Sequence, residues 1–376
     1  MLFYVPLLLA AGSCVYHLAV TIASILFHFQ REKGTGYTPP VSILKPVRGI
    51  EQNFDSSLAS HFQQDYPNFE IIFGLSDPQD PARWTIAQLR RDFPQVPVKV
   101  VTVTESRGAN PKMGKLQRML EEAAHEIVVI NDADIRVGSA YLRNVVQPLA
   151  DARVGLVTCL YRGVPARRLR SKLEALGISG DFAGQVLLAR LVEGIQFGLG
   201  ATLATRKKQI AEIGGLARWA DYLADDYILG NQVAKAGYQV ILSHVVVETM
   251  LPHRTLSETF QQQLRWARTV RSASPRGYPG LLLTFGVPLS LLALAFHPAS
   301  AFAQATFAIT LLARWLSAWA SGVLVCHDAV VRKSFWLLPL RDLLAFGIWI
   351  ASFWGRKVVW REARFRLEAD GRITPA

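Results

Sequence analysis

The chain has 376 residues, 51% of them hydrophobic and 19% charged, with 41 Lys and Arg against 29 Asp and Glu for a net charge of +12. That length holds one large domain or two ordinary ones, and three scattered cysteines, Cys14, Cys159 and Cys326, argue against a disulfide framework or a zinc site. The basic balance suits an anionic lipid surface, a nucleotide diphosphate or a nucleic acid, and charge alone does not choose among them.

Residues 1–29 contain "FYVPLLLAAGSCVYHLAVTIASILF", an uncharged run longer than the ~20 residues that span a bilayer core. No clean cleavage site follows, so the segment reads as a retained transmembrane helix. Arg31 and Lys33 after it place the next domain in the cytosol by the positive-inside rule. Residues 30–40, with "GTGYTPP", read as a linker.

From 41 to 250 short apolar runs alternate with helical ones, the pattern of an α/β domain with a mostly parallel sheet. The expected strands are "VSILKPV", "FEIIFGLSD", "VKVVTVT", "EIVVINDAD", "GLVTCLYR" and "QVILSHVVVE". Helices are expected in "FDSSLASHFQQD", "ARWTIAQLRRDF", "GKLQRMLEEAAH" and "DDYILGNQVAKAG". Residues 251–277 read as an interfacial helix.

The segment 278–355 is again apolar. "YPGLLLTFGVPLSLLALAFH" and "ASAFAQATFAITLLARWLSAWASGVLVC" read as two spans forming a hairpin. The third run, "FWLLPLRDLLAFGIWIASFWG", is interrupted by Arg341 and Asp342 and precedes the basic tail 356–376. A single crossing there would put that tail outside, so a re-entrant or interface-lying segment is favoured, with a fourth span as the alternative.

Ligands of such sheets sit at the carboxyl ends of the strands, and several charged residues fall there. Asp132 and Asp134, two apart in "NDADIRV", can converge on one face and would repel unless a cation lay between them, which suits Mg²⁺ or Mn²⁺ shared with a diphosphate. The alternative is a turn in which one Asp caps the next helix. Asp77 closes another strand and suits a hydrogen bond to a base or ribose, or an ordinary turn. Lys45 and Arg48 in "KPVRG" suit phosphates, or a solvated basic loop.

Asp225 and Asp226 open the helix of "LADDYILGNQVAKAG", where acids are favoured by the helix dipole. An acid so placed is also suited to act as general base toward a hydroxyl. Gln262, Arg265 and Trp266, at i, i+3 and i+4, share one helix face that can clamp a leaving diphosphate and close over an acceptor. An amphipathic helix lying on the membrane explains the same pattern.

In this order the motifs resemble the large family-2-like group of glycosyltransferases with a GT-A fold. They are most similar to the ceramide glucosyltransferases and bacterial hopanoid-biosynthesis glycosyltransferases of family 21. "VSILKPVRG", "NPKMGKLQRM", "NDADIRV", "GLGATLATRK", "LADDY", "QQLRW" and "GRKVVWREARFRL" carry the resemblance, which covers essentially the whole chain.

The resemblance implies inverting transfer of a hexose or N-acetylhexosamine from a UDP-sugar to a hydroxyl of a ceramide or hopanoid polyol. Asp226 would be the base and Arg265, with Gln262 and Trp266, would serve the leaving group and acceptor. Asp132 and Asp134 would hold Mg²⁺ or Mn²⁺, while Lys45, Asp77, Lys112, Asp132 and Asp225 would contact the nucleotide sugar. Eukaryotic ceramide enzymes carry Gly where Asp134 stands, which makes Asp132 the firmer ligand. The implied partners are the donor, a lipid acceptor and the bilayer, with no nucleic acid. The implied setting is a bacterial inner membrane with the catalytic domain in the cytoplasm. A processive polysaccharide synthase shares the motifs but needs a translocation channel. A non-catalytic lipid-binding adaptor leaves the acids unexplained.

Overall fold

The computed structural model describes residues 4–30, 34–50, 52–104, 108–360 and 363–376. Arg31 and Lys33, the basic pair behind the expected orientation of the first span, lie outside them. The chain opens with helix α1 (Tyr4–Phe29), followed by strand β1 (Val41–Pro46), α2 (Phe54–Phe62), β2 (Phe69–Leu75), α3 (Ala82–Asp92) and β3 (Val98–Thr102). Then come α4 (Pro111–Glu122), β4 (Ile127–Ile130), β5 (Ile135–Arg136), α5 (Tyr141–Val146) and β6 (Val154–Val164). A helical stretch of α6 (Leu169–Gly177), a π-helical bulge (Ile178–Phe182) and α7 (Ala183–Val192) leads to β7 (Leu203–Arg206) and α8 (Lys207–Glu212). α9 (Asp225–Lys235) and β8 (Gln239–Met250) complete the domain.

Eight strands form one sheet in the order β3-β2-β1-β4-β7-β6-β8-β5. β1, β2, β3 and β4 run parallel, with Leu44 opposite both Ile72 and Ile130, so the carboxyl ends of β1, β2 and β4 share one edge. β1 and β2 are buried along their whole length, which accounts for their nearly continuous apolar sequences. Alternation along each strand feeds two cores: Ile43, Ile71 and Val129 point to one face, and Leu44, Ile72 and Val128 to the other. All six strands expected from the sequence are present, and β5 and β7 are additional.

The second core also takes in Ala23 and Phe27 of α1 and Ala183, Val186 and Leu187 of α7. The sheet domain and the apolar helices therefore share one packed interior. Phe27 stacks on His244 of β8 with ring centroids 4.1 Å apart. Gly184 allows α7 to approach α1, because a Cβ there would lie 2.8 Å from Val20 Cγ1.

After the sheet come α10 (Leu256–Ala273), α11 (Gly286–Phe296), α12 (Ala301–Ala318), α13 (Ala329–Ser334) and α14 (Leu338–Ser352). Among the described residues, four helical stretches are long and apolar enough to cross a membrane: Val5–Phe29, Leu169–Val192, Ala301–Val325 and Ala329–Ser352. Length and composition agree with the alternative of a fourth span in the C-terminal group. The irregular member of the C-terminal group is the first, where Tyr278–Thr284 and Gly286–Phe296 meet at a bend of 65°, while the run through Arg341 and Asp342 is a continuous long stretch. Asp342 is accommodated there because Arg314 of α12 donates to both its oxygens, with Nε–Oδ2 and Nη2–Oδ1 each 2.9 Å. The stretch Leu169–Val192 was not expected, since Arg170, Lys172, Glu174 and Asp181 break up its apolar pattern.

The basic tail expected at 356–376 holds a three-stranded antiparallel sheet of β9 (Lys357–Trp360), β10 (Ala363–Leu367) and β11 (Ile373–Pro375). Val358, Phe365, Leu367 and Ile373 pack on Leu223, just ahead of α9. Backbone bonds from Leu223 N to Gly371 O and from Ile373 N to Asp221 O join the two.

Candidate active site

β4 runs four buried residues straight into Asn131, whose side chain is held by Ala201 O, Thr202 Oγ1 and Tyr141 Oη. The strand end is thus fixed immediately before Asp132. Asp132 and Asp134 both reach the wall of a cavity of about 900 Å³. Asp134 accepts from Thr249 Oγ1 of β8 at 2.6 Å, which ties it to the neighbouring strand.

Lys112 lies in the first turn of α4, after Asn110 caps the helix by accepting from Lys112 N and Pro111 fills the next position. A cation is unfavourable at a helix start, and here it is held by two acids. Its Nζ lies 2.8 Å from Asp132 Oδ1 and 2.8 Å from Asp225 Oδ2. Burial opposes the charge, but Asp132, Asp225 and Asp226 outweigh it and keep the ammonium protonated well above the usual lysine range.

Asp226 is set by close backbone packing. A Cβ at Gly230 of α9 would collide with Phe197 and Gly198, and one at Gly198 would strike Leu203 and Asp226 O. One Asp226 oxygen accepts from Tyr227 N at 2.8 Å. The other, Oδ2, faces Gly200, where a Cβ would lie 3.0 Å from it and 3.4 Å from Asp132 Oδ2. Burial, and next the Asp225 carboxylate, push Asp226 up to about 6, against the pull of Lys112.

On α10, Gln262, Arg265 and Trp266 all line the same cavity. Arg265 Nη2 donates to Gln262 Oε1 at 3.0 Å, while the buried Nε has no hydrogen-bond partner among the described residues. Burial, and then Arg254, lower Arg265 to about 10, with Asp225, Asp226 and Asp132 acting in the opposite sense. A guanidinium with open donors beside a cluster of acids is equipped to receive phosphate oxygens. Arg268 and Arg271 of the same helix bond to backbone carbonyls of Trp354, Lys357 and Ser352, anchoring α10 to α14 and the C-terminal sheet.

Two expected site residues fall elsewhere. Lys45 is fully buried behind Asp132, donating to Asp132 O at 3.0 Å and meeting His61 Nε2 at 3.2 Å. Burial lowers it to about 7, and its place is under the strand end rather than on the cavity wall. Asp77 sits at the expected edge, but it is exposed and closes a turn by accepting from Gln79 N at 2.7 Å. Its neighbour Ser76 lines the cavity in its place, together with Arg48. The remaining expected residues, Lys112, Asp132, Asp134, Asp225, Asp226, Gln262, Arg265 and Trp266, converge on that one cavity.

Sequence reasoning missed Tyr161, Thr249 and Gly200. Gly200 was within reach, since "GLGATLATRK" was singled out as a block. Tyr161 of β6 lines the cavity, and burial followed by the fields of Asp226, Asp132 and Asp134 raises its phenol.

Among the described residues no three acids or His and Cys side chains form a metal cluster. Asp132 and Asp134 still suit a hard divalent cation, because Mg²⁺ or Mn²⁺ bound with a substrate diphosphate takes only one or two protein carboxylates.

The cavity is continuous from these acids to the apolar helices. Its far wall includes Leu281 and Phe285 at the 65° bend and Ala345, Ile348 and Trp349 of α14, while Trp360 and Phe365 of the C-terminal sheet close one side. A polar pole fit for a nucleotide diphosphate and an apolar pole fit for an alkyl chain thus share one open cleft.

A model of the family described as glycosyl transferase family 21 matches residues 5–373. Ceramide glucosyltransferase 3 of Caenorhabditis elegans is 22% identical over 373 residues, covering 96% of this chain and 80% of its own. The ceramide glucosyltransferase of Gibberella zeae is 33% identical over 127 residues, 31% of this chain and 24% of its own. Among solved structures, the mannosyltransferase PcManGT of Pyrobaculum calidifontis, in complex with GDP-Man and Mn²⁺, superposes with a TM-score of 0.51 at 21% identity. That match covers 92% of this chain and 99% of the other, and the fold is the expected GT-A type.

Proposed function

The chain belongs to glycosyl transferase family 21, and we propose that it moves a hexose or N-acetylhexosamine from a UDP-sugar to the hydroxyl of a membrane lipid, a ceramide or hopanoid polyol, with inversion. The observation that carries this reading is the single cavity joining Asp132, Asp225 and Asp226 to the apolar residues of α14 and the 65° bend. The names of the relatives, ceramide glucosyltransferases, agree with it.

In the proposed reaction the acceptor hydroxyl attacks the anomeric carbon from the face opposite the diphosphate. Its proton passes to Asp226 Oδ2, and the electron pair of the breaking carbon–oxygen bond leaves with UDP. Asp226 suits the role because its raised pKa brings a carboxylate closer to that of the proton it must take while leaving it ionised at neutral pH. Asp225 is less suited, being held by Lys112. Arg265 donates to the departing phosphate oxygens, and Gln262 orients its guanidinium. Asp132 and Asp134 would hold Mg²⁺ or Mn²⁺, which would supply further neutralisation of the diphosphate. The domain carrying these groups is proposed to face the cytoplasm.

The test is transfer by the purified chain in lipid nanodiscs, with labelled UDP-glucose and UDP-N-acetylglucosamine offered against an N-acylsphingosine and a hopanoid polyol, and products read by mass spectrometry. A monoglycosylated lipid with inverted anomeric configuration is expected. A polymer growing from the UDP-sugar without added lipid would instead make the chain a polysaccharide synthase.

A further inference from the structure

The membrane end of the cavity holds a second polar site, built on the bulge between α6 and α7. The insertion of a π turn at Ile178–Phe182 brings Asp181 to the cavity wall, and such bulges commonly mark functional positions. Facing it are two arginines in different states. Arg314 is fully buried and paired: it bonds to both oxygens of Asp342, to Gly180 O at 2.9 Å and to Asp181. Arg341 lies on the cavity wall with its side chain 13% exposed, and its nearest acid oxygen, Asp181 Oδ2, is 3.8 Å away. That is beyond hydrogen-bond reach, and Arg341 makes no hydrogen bond to any described residue. Its guanidinium rests on the bare backbone of Gly177, where any side chain would collide with it.

A guanidinium with unfilled donors in a water-poor wall is costly to maintain, and ionisable groups facing the interior of an apolar bundle mark a substrate path. Both polar sites line the same cavity. Phe182, adjacent to Asp181, packs on Tyr161 with centroids 5.4 Å apart, and Tyr161 lies within the field of Asp226, Asp132 and Asp134. Tyr161 and Phe182 both line the cavity between the sheet and the apolar helices.

Resting on the lipid-acceptor reading, we propose that Arg341 and Asp181 bind a second polar group of the acceptor, a few bonds from its reacting hydroxyl. That group accepts from the guanidinium and donates to the carboxylate: a secondary amide or a hydroxyl. Arg314 and Arg341 are balanced by Asp181 and Asp342, so the site has no excess charge to recruit an anion and suits an uncharged group. An acceptor with only a single terminal hydroxyl leaves Arg341 unpaired and is selected against.

The experiment compares kcat/KM in nanodiscs for N-acylsphingosine, its N-methyl derivative, a hopanoid polyol and hexadecanol. Wild type is expected to prefer N-acylsphingosine or the polyol over hexadecanol by at least a hundredfold, and Arg341→Gln and Asp181→Asn should each shrink that preference at least tenfold. An unchanged preference in both variants overturns the proposal. So does activity that follows the fraction of phosphatidylglycerol in the nanodisc while acceptor preference stays flat, which would make Arg341 a headgroup contact. Should the variants not fold, wild type alone decides, since equal use of hexadecanol and both polar acceptors overturns the proposal. Absence of transfer from wild type to any lipid is a different result, and it removes the function on which the inference rests.

Discussion

Lys112 Nζ lies 2.8 Å from Asp132 Oδ1 and 2.8 Å from Asp225 Oδ2, so one ammonium joins a strand-end acid to a helix-start acid. The contact fixes the relative placement of β4 and α9, the two elements that carry Asp132 and Asp226. Removing one member of a largely buried charge cluster leaves the others uncompensated. Lys112→Met is therefore expected to lower kcat/KM about a hundredfold, roughly 2.7 kcal/mol, and to lower the melting temperature. Steady-state kinetics and thermal unfolding of the variant check both, and near-normal kinetics would make the bridge incidental.

Asp226 is the proposed base, and its loss is expected to reach the chemical step more than binding. Asp226→Asn should lower kcat by about 10²–10⁴ while UDP-sugar affinity, read by calorimetry, changes little.

The same carboxylate sets an acid limb. Burial and Asp225 raise it to about 6, so the ionised, proton-accepting form is lost as pH falls through that value. Lipid-acceptor kcat/KM is expected to be flat above about pH 7 and to fall toward tenfold per unit well below 6. A profile flat from pH 5 to 8 would assign the proton to another group.

Gly200 is the space in which the Asp226 and Asp132 carboxylates meet. A Cβ there would lie 3.0 Å from Asp226 Oδ2 and 3.4 Å from Asp132 Oδ2, so Gly200→Ala must displace one of them by a few tenths of an ångström. Small displacements of reacting groups are costly, and kcat should fall at least tenfold with the melting temperature nearly unchanged. Full activity in that variant would show that the two carboxylates need not be so closely placed.

The pairing of Asp132 and Asp134 with a donor diphosphate predicts sensitivity to chelation. Transfer should be lost in EDTA and restored by Mg²⁺ or Mn²⁺, and UDP affinity measured without acceptor should fall in parallel. Transfer undiminished in chelator would remove the metal from these two acids.

Much of this was legible in the sequence because it is local. Short, nearly continuous apolar runs set β1, β2, β4 and β6, and the acids at the end of β4 and the start of α9 follow directly from "NDADIRV" and "LADDY". The i, i+3, i+4 spacing placed Gln262, Arg265 and Trp266 on one face. What was missed depends on partners remote in the chain. α6, the bulge and α7 together carry five charged residues, which mask the apolar face that α7 packs on α1, and Glu174 finds its ion-pair partner at Arg254, eighty residues on. The C-terminal sheet reads as a basic tail because its strands are short and its apolar residues find their partner at Leu223.

The chain's local order by itself determined which residue types stand at strand ends and helix starts, since backbone period and capping act within a few residues. Only the tertiary structure decided which charge faces which: that Lys45 supports Asp132 from behind, that Lys112 bridges Asp132 and Asp225, and that Arg341 is left open beside Asp181. Electrostatic pairing and desolvation depend on distance in space, and folding brings these residues together across as many as 160 positions.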